Sequence, residues 1–345
     1  MPHRTGAEPC SRNFALRGFS EVRVVPVLGT WRSTVDLRVM GRAFLKAVLA
    51  WTVFFLPALV ACSGEEAPEG AGPPAVASGP RTVVAAGDIA DCDTDGDAAT
   101  ARLVGRTDGT VLALGDNAYY KGSEYNYKRC YEPTWGRFLD RTRPVPGNHE
   151  YYTEGAEGYF GYFGGAAGDP EKGYYSYDLG AWHLVALNSN CEEVGGCGAN
   201  SPQVGWLERD LARSGKGCTL AYFHHPLFTS GKHRPGVPEV RPLWEALHEA
   251  GADVVLSAHD HNYQRFAPQD PGGRADPEGG VRQFVVGTGG GKENYPIADP
   301  IANTEAHADA TDGVLELVLG PEGYDWRFVP VGGETFADSG SARCT

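Results

Sequence analysis

Five short apolar segments of this chain each end at a polar residue or a short polar cluster. The segments span residues 82–87, 110–115, 142–147, 219–223 and 252–258, and such near-continuous apolar runs are typical of strands buried on both faces of a sheet. The polar residues that follow them are Asp88, Asp116, Asn148, His224 and the pair His259 and His261. Because ligands bind beyond the carboxyl ends of strands in open α/β sheets, the pattern predicts that these side chains meet in one site.

Helical patterns separate several of these segments. They cover Asp97 to Arg106, Ser201 to Ser214 after a Ser-Pro start, and Val240 to Glu249. Strands that alternate with helices predict a layered α/β fold. Three later segments, residues 174–189, 280–290 and 313–331, combine β-type runs with glycine-containing turns and are interpreted as hairpins. They favour a second sheet, or a mixed sandwich.

The side chains at the strand ends have the composition of a metal site. Taken singly, an Asp after a strand is usually a turn residue, and a lone His usually forms an ordinary hydrogen bond. Taken together, the carboxylate, imidazole and amide donors exceed the coordination shell of one ion, and a carboxylate can bridge two ions about 3.5–4 Å apart. The set therefore predicts two metals, which would bind a phosphoryl group and lower the pKa of a water molecule between them.

The sequence blocks that contain these residues resemble the signature blocks of a known family. They read GDIA at 87–90, GDNAY at 115–119, GNHE at 147–150, YFHHP at 222–226 and AHDH at 258–261. In this order they look like the five blocks of calcineurin-like metallophosphoesterases, and the GDxxY variant is similar to the purple acid phosphatase branch, here in a bacterial secreted or lipoprotein form. The resemblance covers about residues 82–290 and implies a four-layer α/β/β/α sandwich of two mixed sheets flanked by helices.

The resemblance assigns ligands to both metals. Asp88, Asp116, Tyr119 and His261 would hold the first metal, and Asp116, Asn148, His224 and His259 would hold the second, with Asp116 as the bridge. It implies Fe(III) in the first site and Fe, Zn or Mn in the second. Ala90 stands where other branches carry a histidine ligand, and Tyr119 would replace that ligand. The alternative is that Tyr119 only packs and that Tyr120 is the polar neighbour.

The resemblance also implies roles for residues beside the ligands. His149 corresponds to the general acid that protonates the leaving oxygen, and Glu150 would orient it, so both are catalytic candidates. His233, nine residues after His224, would contact the substrate together with Asn148. The alternative for His149 is a hydrogen bond to phosphate. His225 would support its neighbours without contacting the substrate.

One glycine-rich run invites a different interpretation. Residues 287–291 precede Lys292, but Glu293 follows the lysine, so the run lacks the GxxxxGK[ST] pattern of a phosphate-binding loop. We interpret it as a turn. The last signature block also opens with Ala258 where the family usually has glycine, a departure that removes no ligand.

The N-terminal region has the pattern of an export signal followed by a flexible segment. Residues 47–61 form an apolar run shorter than the ~20 residues of a membrane-spanning helix, and basic Arg42 and Lys46 precede it. The run ends in a pattern that resembles a bacterial lipobox, which predicts lipidation of Cys62. The alternative is a Sec signal cut near Ala61 that leaves Cys62 free. The predicted division is an over-long leader with its signal peptide at 1–61 (Met40 being an alternative start), a lipid-anchored flexible linker at 62–80 and a metallophosphoesterase domain at 81–345.

The six cysteines beyond Cys62 predict three disulfide bonds, because an exported chain with an even cysteine count is typically cross-linked. Cys191 and Cys197 bracket a glycine-rich turn and are predicted to pair. Cys92 with Cys130 and Cys218 with Cys344 then follow by elimination, as one of several possible schemes. A zinc site is the alternative, although no CxxC motif occurs.

The net charge limits the kinds of molecule that this chain is expected to bind. It is −14 for the whole chain, and −19 after removal of residues 1–61, when 22 basic and 41 acidic residues remain. Such acidity argues against binding to nucleic acid or to anionic lipid, so we expect a small phosphate ester as substrate and contact with a membrane only through Cys62. The oligomeric state is not predicted.

The predicted function is that of a metal-dependent phosphoric ester hydrolase of the acid phosphatase type. The resemblance implies hydrolysis of phosphate monoesters by attack of a metal-held hydroxide, with a histidine as general acid. The alternatives are a phosphodiesterase that acts on nucleotides or lipid head groups, a lipoprotein that binds phosphate or metal without turnover, and a protein whose metals are only structural. The expected location is outside the cytoplasm, as a cell-surface or periplasmic lipoprotein or as a secreted protein.

Overall fold

A computed structural model describes residues 79–333 and 335–345 of the chain. The strands of this part are numbered in chain order. They are β1 (Arg81–Ala86), β2 (Thr110–Leu114), β3 (Thr142–Val145), β4 (Tyr175–Leu179), β5 (Trp182–Ala186), β6 (Cys218–Tyr222), β7 (Val254–Ser257), β8 (Tyr263–Phe266), β9 (Arg282–Val286), β10 (Thr304–Ala308), β11 (Gly313–Leu319), β12 (Gly323–Pro330) and β13 (Ser339–Arg343).

Helices connect many of these strands. The α-helices are α1 (Gly96–Val104), α2 (Glu124–Asn126), α3 (Glu157–Phe163), α4 (Pro202–Ser214) and α5 (Arg241–Glu249). A π-helical turn spans Tyr127–Tyr131. Short 3₁₀ helices span Trp135–Arg141, Glu150–Tyr152, Glu154–Ala156, Gly164–Ala167, Cys191–Val194 and Pro238–Val240.

The strands form two mixed sheets. The first has the order β13-β12-β11-β1-β2-β3, in which β1, β2 and β3 are parallel and the other pairs are antiparallel. The second has the order β10-β8-β9-β7-β6-β5-β4, with β5, β6, β7 and β9 parallel. Two mixed sheets with flanking helices confirm the predicted α/β fold class.

The central strands of the second sheet are buried on both faces, which explains why their sequences are almost wholly apolar. Leu220 and Tyr222 of β6 pack in the apolar cluster that also contains Val83 and Val111 of the first sheet. The intervening Ala221 packs in a second cluster, together with side chains of α4 and α5. Because successive side chains of a strand point to opposite faces, one strand contributes to both layers.

Helix α4 begins and ends where its sequence indicates. The Ser201 hydroxyl accepts a hydrogen bond from the backbone N–H of Val204, and Pro202 occupies the first helical position, where its missing N–H costs nothing. Gly215 terminates the helix in the left-handed conformation. The predicted boundaries at Ser201 and Ser214 are therefore confirmed.

One predicted hairpin is wrong. Residues 174–189 and 313–331 do form hairpins, as β4–β5 and β11–β12. Residues 280–290, in contrast, contain the single strand β9, which lies between β7 and β8. The glycines after β9 do not turn the chain back along it. They approach β1 instead, where the amide of Gly289 donates to the carbonyl of Gly87 at 2.9 Å.

The three predicted disulfides are confirmed. They join Cys92 to Cys130, Cys191 to Cys197, and Cys218 to Cys344, with sequence separations of 38, 6 and 126 residues. The third bond ties β6 to the C-terminal segment after β13. These bonds exclude a zinc site built from the same six cysteines.

Replacing both members of the Cys218–Cys344 pair by alanine is expected to lower the free energy of unfolding by about 5 kcal/mol, because the bond closes the longest loop in the unfolded chain. The same change at Cys191 and Cys197 is expected to cost only about 2 kcal/mol. Urea denaturation of both double variants measures the difference. Equal losses would contradict this entropic explanation.

The signal peptide, the modification of Cys62 and most of the linker fall outside the described residues and stay predictions. Among residues 79–333 and 335–345, the helices are all too short or too polar to cross a bilayer.

Candidate metal centre

The polar residues after the strands converge as predicted, and several of them adopt a backbone conformation that L-residues avoid. Asp88, Asp116 and His259 have φ angles of 58°, 49° and 69°. Such left-handed residues cost about 1–3 kcal/mol each and concentrate at functional sites, where the surrounding structure holds them in place. The chain therefore reverses sharply after β1, β2 and β7 and directs these side chains into one space.

Three of the predicted ligands surround the hydroxyl of a fourth, Tyr119. This oxygen donates to Asp88 Oδ1 at 2.7 Å and lies 3.2 Å from Asp116 Oδ2 and 3.3 Å from His261 Nε2. His261 Nε2 is also 3.4 Å from Asp88 Oδ1. Tyr119 is 1% exposed, whereas Tyr120 is 57% exposed. The structure thus places Tyr119, and not Tyr120, with the residues predicted for the first metal.

The residues predicted for the second metal lie on the other side of Asp116. His224 Nε2 is 3.4 Å from Asp116 Oδ2 and 3.2 Å from His259 Nδ1. The backbone N–H of His259 donates to Asp88 Oδ2 at 2.9 Å. Asp116 therefore contacts residues of both predicted sets, the position that a bridging ligand requires.

Asn148 supplies an independent observation that favours a cation. Its Oδ1 atom is buried and has no hydrogen-bond partner among the described residues. A buried polar atom without a partner carries a desolvation cost of about 1–3 kcal/mol. Ligand atoms of Asp88, Asp116 and His224 also lie within 4.8 Å of one another. The next residue, His149, donates its backbone N–H to Asp116 Oδ1 at 2.9 Å, so Asn148 lies next to a residue that contacts the centre. An orphaned amide oxygen at this position, together with the buried carboxylates and imidazoles, fits a pair of metal ions.

Backbone carbonyls fix which nitrogen of two histidines faces the centre. His224 Nδ1 donates to the carbonyl of Leu114 at 2.9 Å, and His261 Nδ1 donates to the carbonyl of Glu293 at 3.0 Å. In both rings Nε2 is therefore the nitrogen that points toward the carboxylates. A hydrogen bond that holds the distal ring nitrogen is the usual means by which proteins orient metal-binding histidines.

Burial and close charges shift the ionisation of the centre when no metal is bound. Burial lowers the pKa of His224, but Asp116 and Asp88 raise it by more, to about 9. Burial would raise the pKa of Asp116, but the imidazoles of His224 and His149 lower it overall. Burial, Asp88 and Asp116 raise the pKa of Tyr119 well above its ordinary value. The carboxylates thus draw positive charge to the centre and oppose the phenolate form of Tyr119 until a cation is present.

His149 lies at the edge of this centre. Its Nδ1 donates to the backbone carbonyl of Tyr120 at 2.7 Å, and its Nε2 lies 3.8 Å from Asp116 Oδ2. The rings of Tyr119, Tyr120 and Tyr152 surround it, with centroid distances of 4.5–4.6 Å. The Tyr120 carbonyl and the aromatic rings hold His149 with Nε2 toward the centre.

The structure corrects the orienting role expected of Glu150. Its described hydrogen bonds do not include the ring of His149. The buried carboxylate accepts instead from the backbone N–H groups of Gly147 at 2.7 Å, and of Asp116 and Asn117 at 2.9 Å, as well as from the Tyr127 hydroxyl. Burial and the charge of Asp116 raise the pKa of Glu150 to about 7. Glu150 joins the loops that carry Asp116 and Asn148, a role that sequence adjacency to His149 does not reveal.

His233 and His225 lie against histidines of the predicted ligand sets. The ring of His233 stacks on that of His259, with centroids 4.0 Å apart and planes 26° apart. The ring of His225 lies 4.5 Å from that of His259, and its Nδ1 is 2.8 Å from the Ser189 hydroxyl. Burial, together with the charge of His224, lowers the pKa of His225 to about 3. The structure therefore brings His233, predicted as a substrate contact, to the rim of the site.

The glycine run interpreted as a turn has a packing role in the site. A Cβ atom on Gly291 would lie 2.9 Å from the ring of Tyr119, so only glycine permits this approach. Lys292 forms an ion pair with Asp91, and its Nζ lies 5.1 Å from the centroid of the Tyr119 ring. The lack of a phosphate-loop pattern in the sequence indicates a turn, but it does not indicate the contact between Gly291 and Tyr119.

A cleft of about 330 Å³ borders the centre. Asn148 and His225 line it, so it is continuous with the site, and Tyr151 and Tyr152 contribute aromatic surface. Glu192, Glu193 and Glu239 also line it. Within the part of the chain that the structure describes, none of these three carboxylates forms an ion pair. The cleft is thus an acidic, partly aromatic space next to the predicted ligands.

Comparisons with known proteins agree with this arrangement. The profile of the family described as calcineurin-like phosphoesterase matches residues 75–263. Purple acid phosphatase 15 of Arabidopsis thaliana is 26% identical over 269 residues, which cover 66% of this chain and 48% of that protein. Acid phosphatase type 7 of Homo sapiens is 27% identical over 188 residues, 46% of this chain and 41% of that protein. The chain spans about half the length, or less, of these relatives.

Solved structures share the fold. A purple acid phosphatase from yellow lupin seeds superposes with a TM-score of 0.61 and 18% identity, over 77% of this chain and 54% of that one. A Plasmodium protein, GAP50, described as the anchor in the inner membrane complex, gives 0.59 and 14%, over 77% and 90% of the two chains. At such identities the likeness shows a common architecture.

Proposed function

The chain belongs to the calcineurin-like phosphoesterase family, and on that premise we propose that it is a two-metal phosphoesterase that hydrolyses phosphate monoesters. The observation that supports this most directly is that five predicted ligands converge: Asp88, Asp116, Tyr119, His224 and His261. The buried, unpartnered oxygen of Asn148 is a second observation in its favour. Two metal ions would be held by the ligand sets given above, with Asp116 shared.

The identity of the metals is part of the proposal. Tyr119 favours Fe(III) in the first site, because its hydroxyl lies against two carboxylates and a highly charged cation would stabilise its ionised form most strongly. The mixed oxygen and nitrogen donors of the second site suit iron, zinc or manganese. The bound ions would polarise the phosphoryl group and supply a nucleophile from water at neutral pH.

The chain's own residues then divide the remaining tasks. His149 presents Nε2 beside Asp116 and would donate a proton to the departing oxygen. His233 would bind a phosphoryl oxygen, together with Asn148. Glu150 holds the two loops that carry Asp116 and Asn148, so it supports the geometry without touching the substrate.

The acidic cleft supports the choice of a small ester whose leaving group is neutral or cationic. Phosphorylethanolamine is expected to exceed 3-phosphoglycerate in kcat/KM by about tenfold at low ionic strength, because Glu192, Glu193 and Glu239 attract the first leaving group and repel the second. The gap should shrink with added salt, since these carboxylates are exposed.

Variants can separate this local effect from the overall negative charge. Changing the three cleft glutamates to glutamine should remove most of the preference, whereas Glu278→Gln, an exposed change outside the cleft, should leave it intact. Equal kcat/KM for the two esters in the unmodified protein at low salt would refute the assignment of the cleft.

The alternative function with the same chemistry is that of a phosphodiesterase, because the same metal centre can hydrolyse monoesters and diesters. Initial rates with 4-nitrophenyl phosphate and bis(4-nitrophenyl) phosphate distinguish them. We expect the monoester to have the higher kcat/KM. A higher value for the diester would replace the monoesterase proposal by the diesterase.

We also propose that the protein acts outside the cytoplasm. Three disulfides are typical of an oxidising compartment. Anchoring through a lipid on Cys62, or secretion without it, would both be compatible with this location. Mass spectrometry of the mature N-terminus distinguishes a diacylated Cys62 from a free one.

A further inference from the structure

Asp260 lies between the predicted ligands His259 and His261, but its carboxylate is directed elsewhere. The side chain is 0% exposed. Its recorded hydrogen-bond donors come from one segment, residues 229–233, which follows β6 by several residues. No lysine or arginine within the described residues forms an ion pair with it. A buried carboxylate must be satisfied by hydrogen bonds, so Asp260 fixes this segment in place.

The contacts on the two carboxylate oxygens differ. Oδ2 accepts from the hydroxyl of Thr229. Oδ1 accepts from His233 twice, from the backbone N–H at 3.2 Å and from ring Nδ1 at 2.9 Å. Gly231 lies between these residues, and a Cβ atom there would be 2.7 Å from Asp260 Oδ2. The segment therefore wraps tightly around Asp260, and one oxygen serves His233 alone.

This double contact determines the orientation of the His233 ring. With Nδ1 held by Asp260 and one face stacked on His259, the ring has little rotational freedom. Its other nitrogen, Nε2, has no partner among the described residues. The imidazole is 32% exposed, so Nε2 is accessible to a ligand at the rim of the centre.

We propose that Asp260 is a positioning residue that orients His233 to bind a phosphoryl oxygen of the substrate. The inference rests on the proposed phosphoesterase function and adds a residue that acts only through His233. Because Nδ1 donates to Asp260, Nε2 donates to a phosphoryl oxygen from the ring that carries both protons. Aligning this donor in advance lowers the cost of binding, because the ring need not be ordered when the substrate arrives.

The test is a double-mutant cycle on the metal-replete protein, with kcat, KM and the dissociation constant of inorganic phosphate measured for each variant. His233→Ala is expected to weaken phosphate binding by about 10-fold to 100-fold, the range for a hydrogen bond to a charged group. Asp260→Ala should cause a similar loss, and the double variant should be no worse than His233→Ala.

Two further variants separate positioning from general stability. Asp260→Asn keeps an oxygen for His233 and a polar group for Thr229, so it should restore phosphate affinity to within about threefold. Thr229→Val removes the contact on the other carboxylate oxygen and should leave phosphate affinity within about threefold. Metal content is measured in all variants. If Asp260→Ala does not fold, Asp260→Ser, which also withdraws the acceptor from His233, takes its place.

The outcomes are distinct. Unchanged phosphate affinity in Asp260→Ala, losses that multiply in the double variant, or a loss in metal-replete Asp260→Asn equal to that in Asp260→Ala would each overturn the positioning role. If the unmodified protein hydrolyses esters and Asp260→Ala binds phosphate as tightly as it does, only this inference is overturned. An unmodified, metal-replete protein that neither binds phosphate nor hydrolyses an ester overturns the proposed function, and the inference with it.

Discussion

Replacing Asp116 by alanine is expected to lower kcat/KM for a phosphate monoester by about 10³-fold or more. Asp116 contacts Tyr119 and His224, which belong to the two predicted ligand sets, so its loss removes the bridge. Charge stabilisation by metals is worth several kcal/mol, and each ~1.4 kcal/mol is tenfold in rate. Metal content should fall together with turnover.

The control is a buried aspartate outside the centre. Asp253 accepts from the backbone N–H groups of Thr219 and Thr345, both at 2.8 Å. Asp253→Asn should lose stability but keep its metals and most of its turnover. Asp116→Asn, which keeps the shape of the side chain but not its charge, should behave like Asp116→Ala. An Asp116→Ala protein that retains both metals and turns over within tenfold of the unmodified protein would show that Asp116 is not the bridge.

His149→Ala is expected to lower kcat by about 10²-fold or more for esters of alkyl alcohols, since a general acid typically contributes that factor. The loss should be much smaller for 4-nitrophenyl phosphate, whose leaving group departs readily without a proton. Metal content should not change, because His149 is not a predicted ligand. If His149 only forms a hydrogen bond to phosphate, its loss should affect both esters alike. The comparison of leaving groups therefore distinguishes this role from proton donation.

His248, on α5, provides the matched control, because its Nε2 lies 3.7 Å from Asp276 Oδ2 and it has no contact with a predicted ligand among the described residues. If the protein instead binds phosphate without turnover, His149→Ala should not change the amount of phosphate released from an ester. Equal kcat for His149→Ala and the unmodified protein on an alkyl ester would therefore exclude the general-acid role.

The sequence predicted the parts of the site that depend on local signals. A polar residue directly after an apolar strand is recognisable from a few neighbours, and the topology of parallel strands brings such residues together. Asp88, Asp116 and His224 were identified in this way. Tyr119 was identified through the GDxxY block, and the structure explains the choice over Tyr120 by burial against two carboxylates.

The contacts that the sequence did not reveal depend on how separate loops pack. Glu150 was assigned to His149 by adjacency, but its carboxylate lies in a buried nest of backbone N–H groups, which no local pattern encodes. Gly291 packs against Tyr119, and Asp260 accepts a hydrogen bond from His233, so both contacts are between residues far apart in the chain. Such contacts follow from tertiary packing rather than from periodicity. The same reason explains the false hairpin at 280–290, where β9 pairs with β7 and with the preceding strand β8, and residues 287–290 form no second strand.

The most direct test of the central claim is the initial rate of 4-nitrophenyl phosphate hydrolysis by the purified protein before chelation, after chelation, and after metals are restored. The two-metal phosphoesterase account predicts turnover that is lost with the chelator, and that returns only when about two metal ions per chain are bound again. Turnover that survives complete removal of metal, or a metal-replete protein inactive toward both this ester and its bis-ester, would contradict the account.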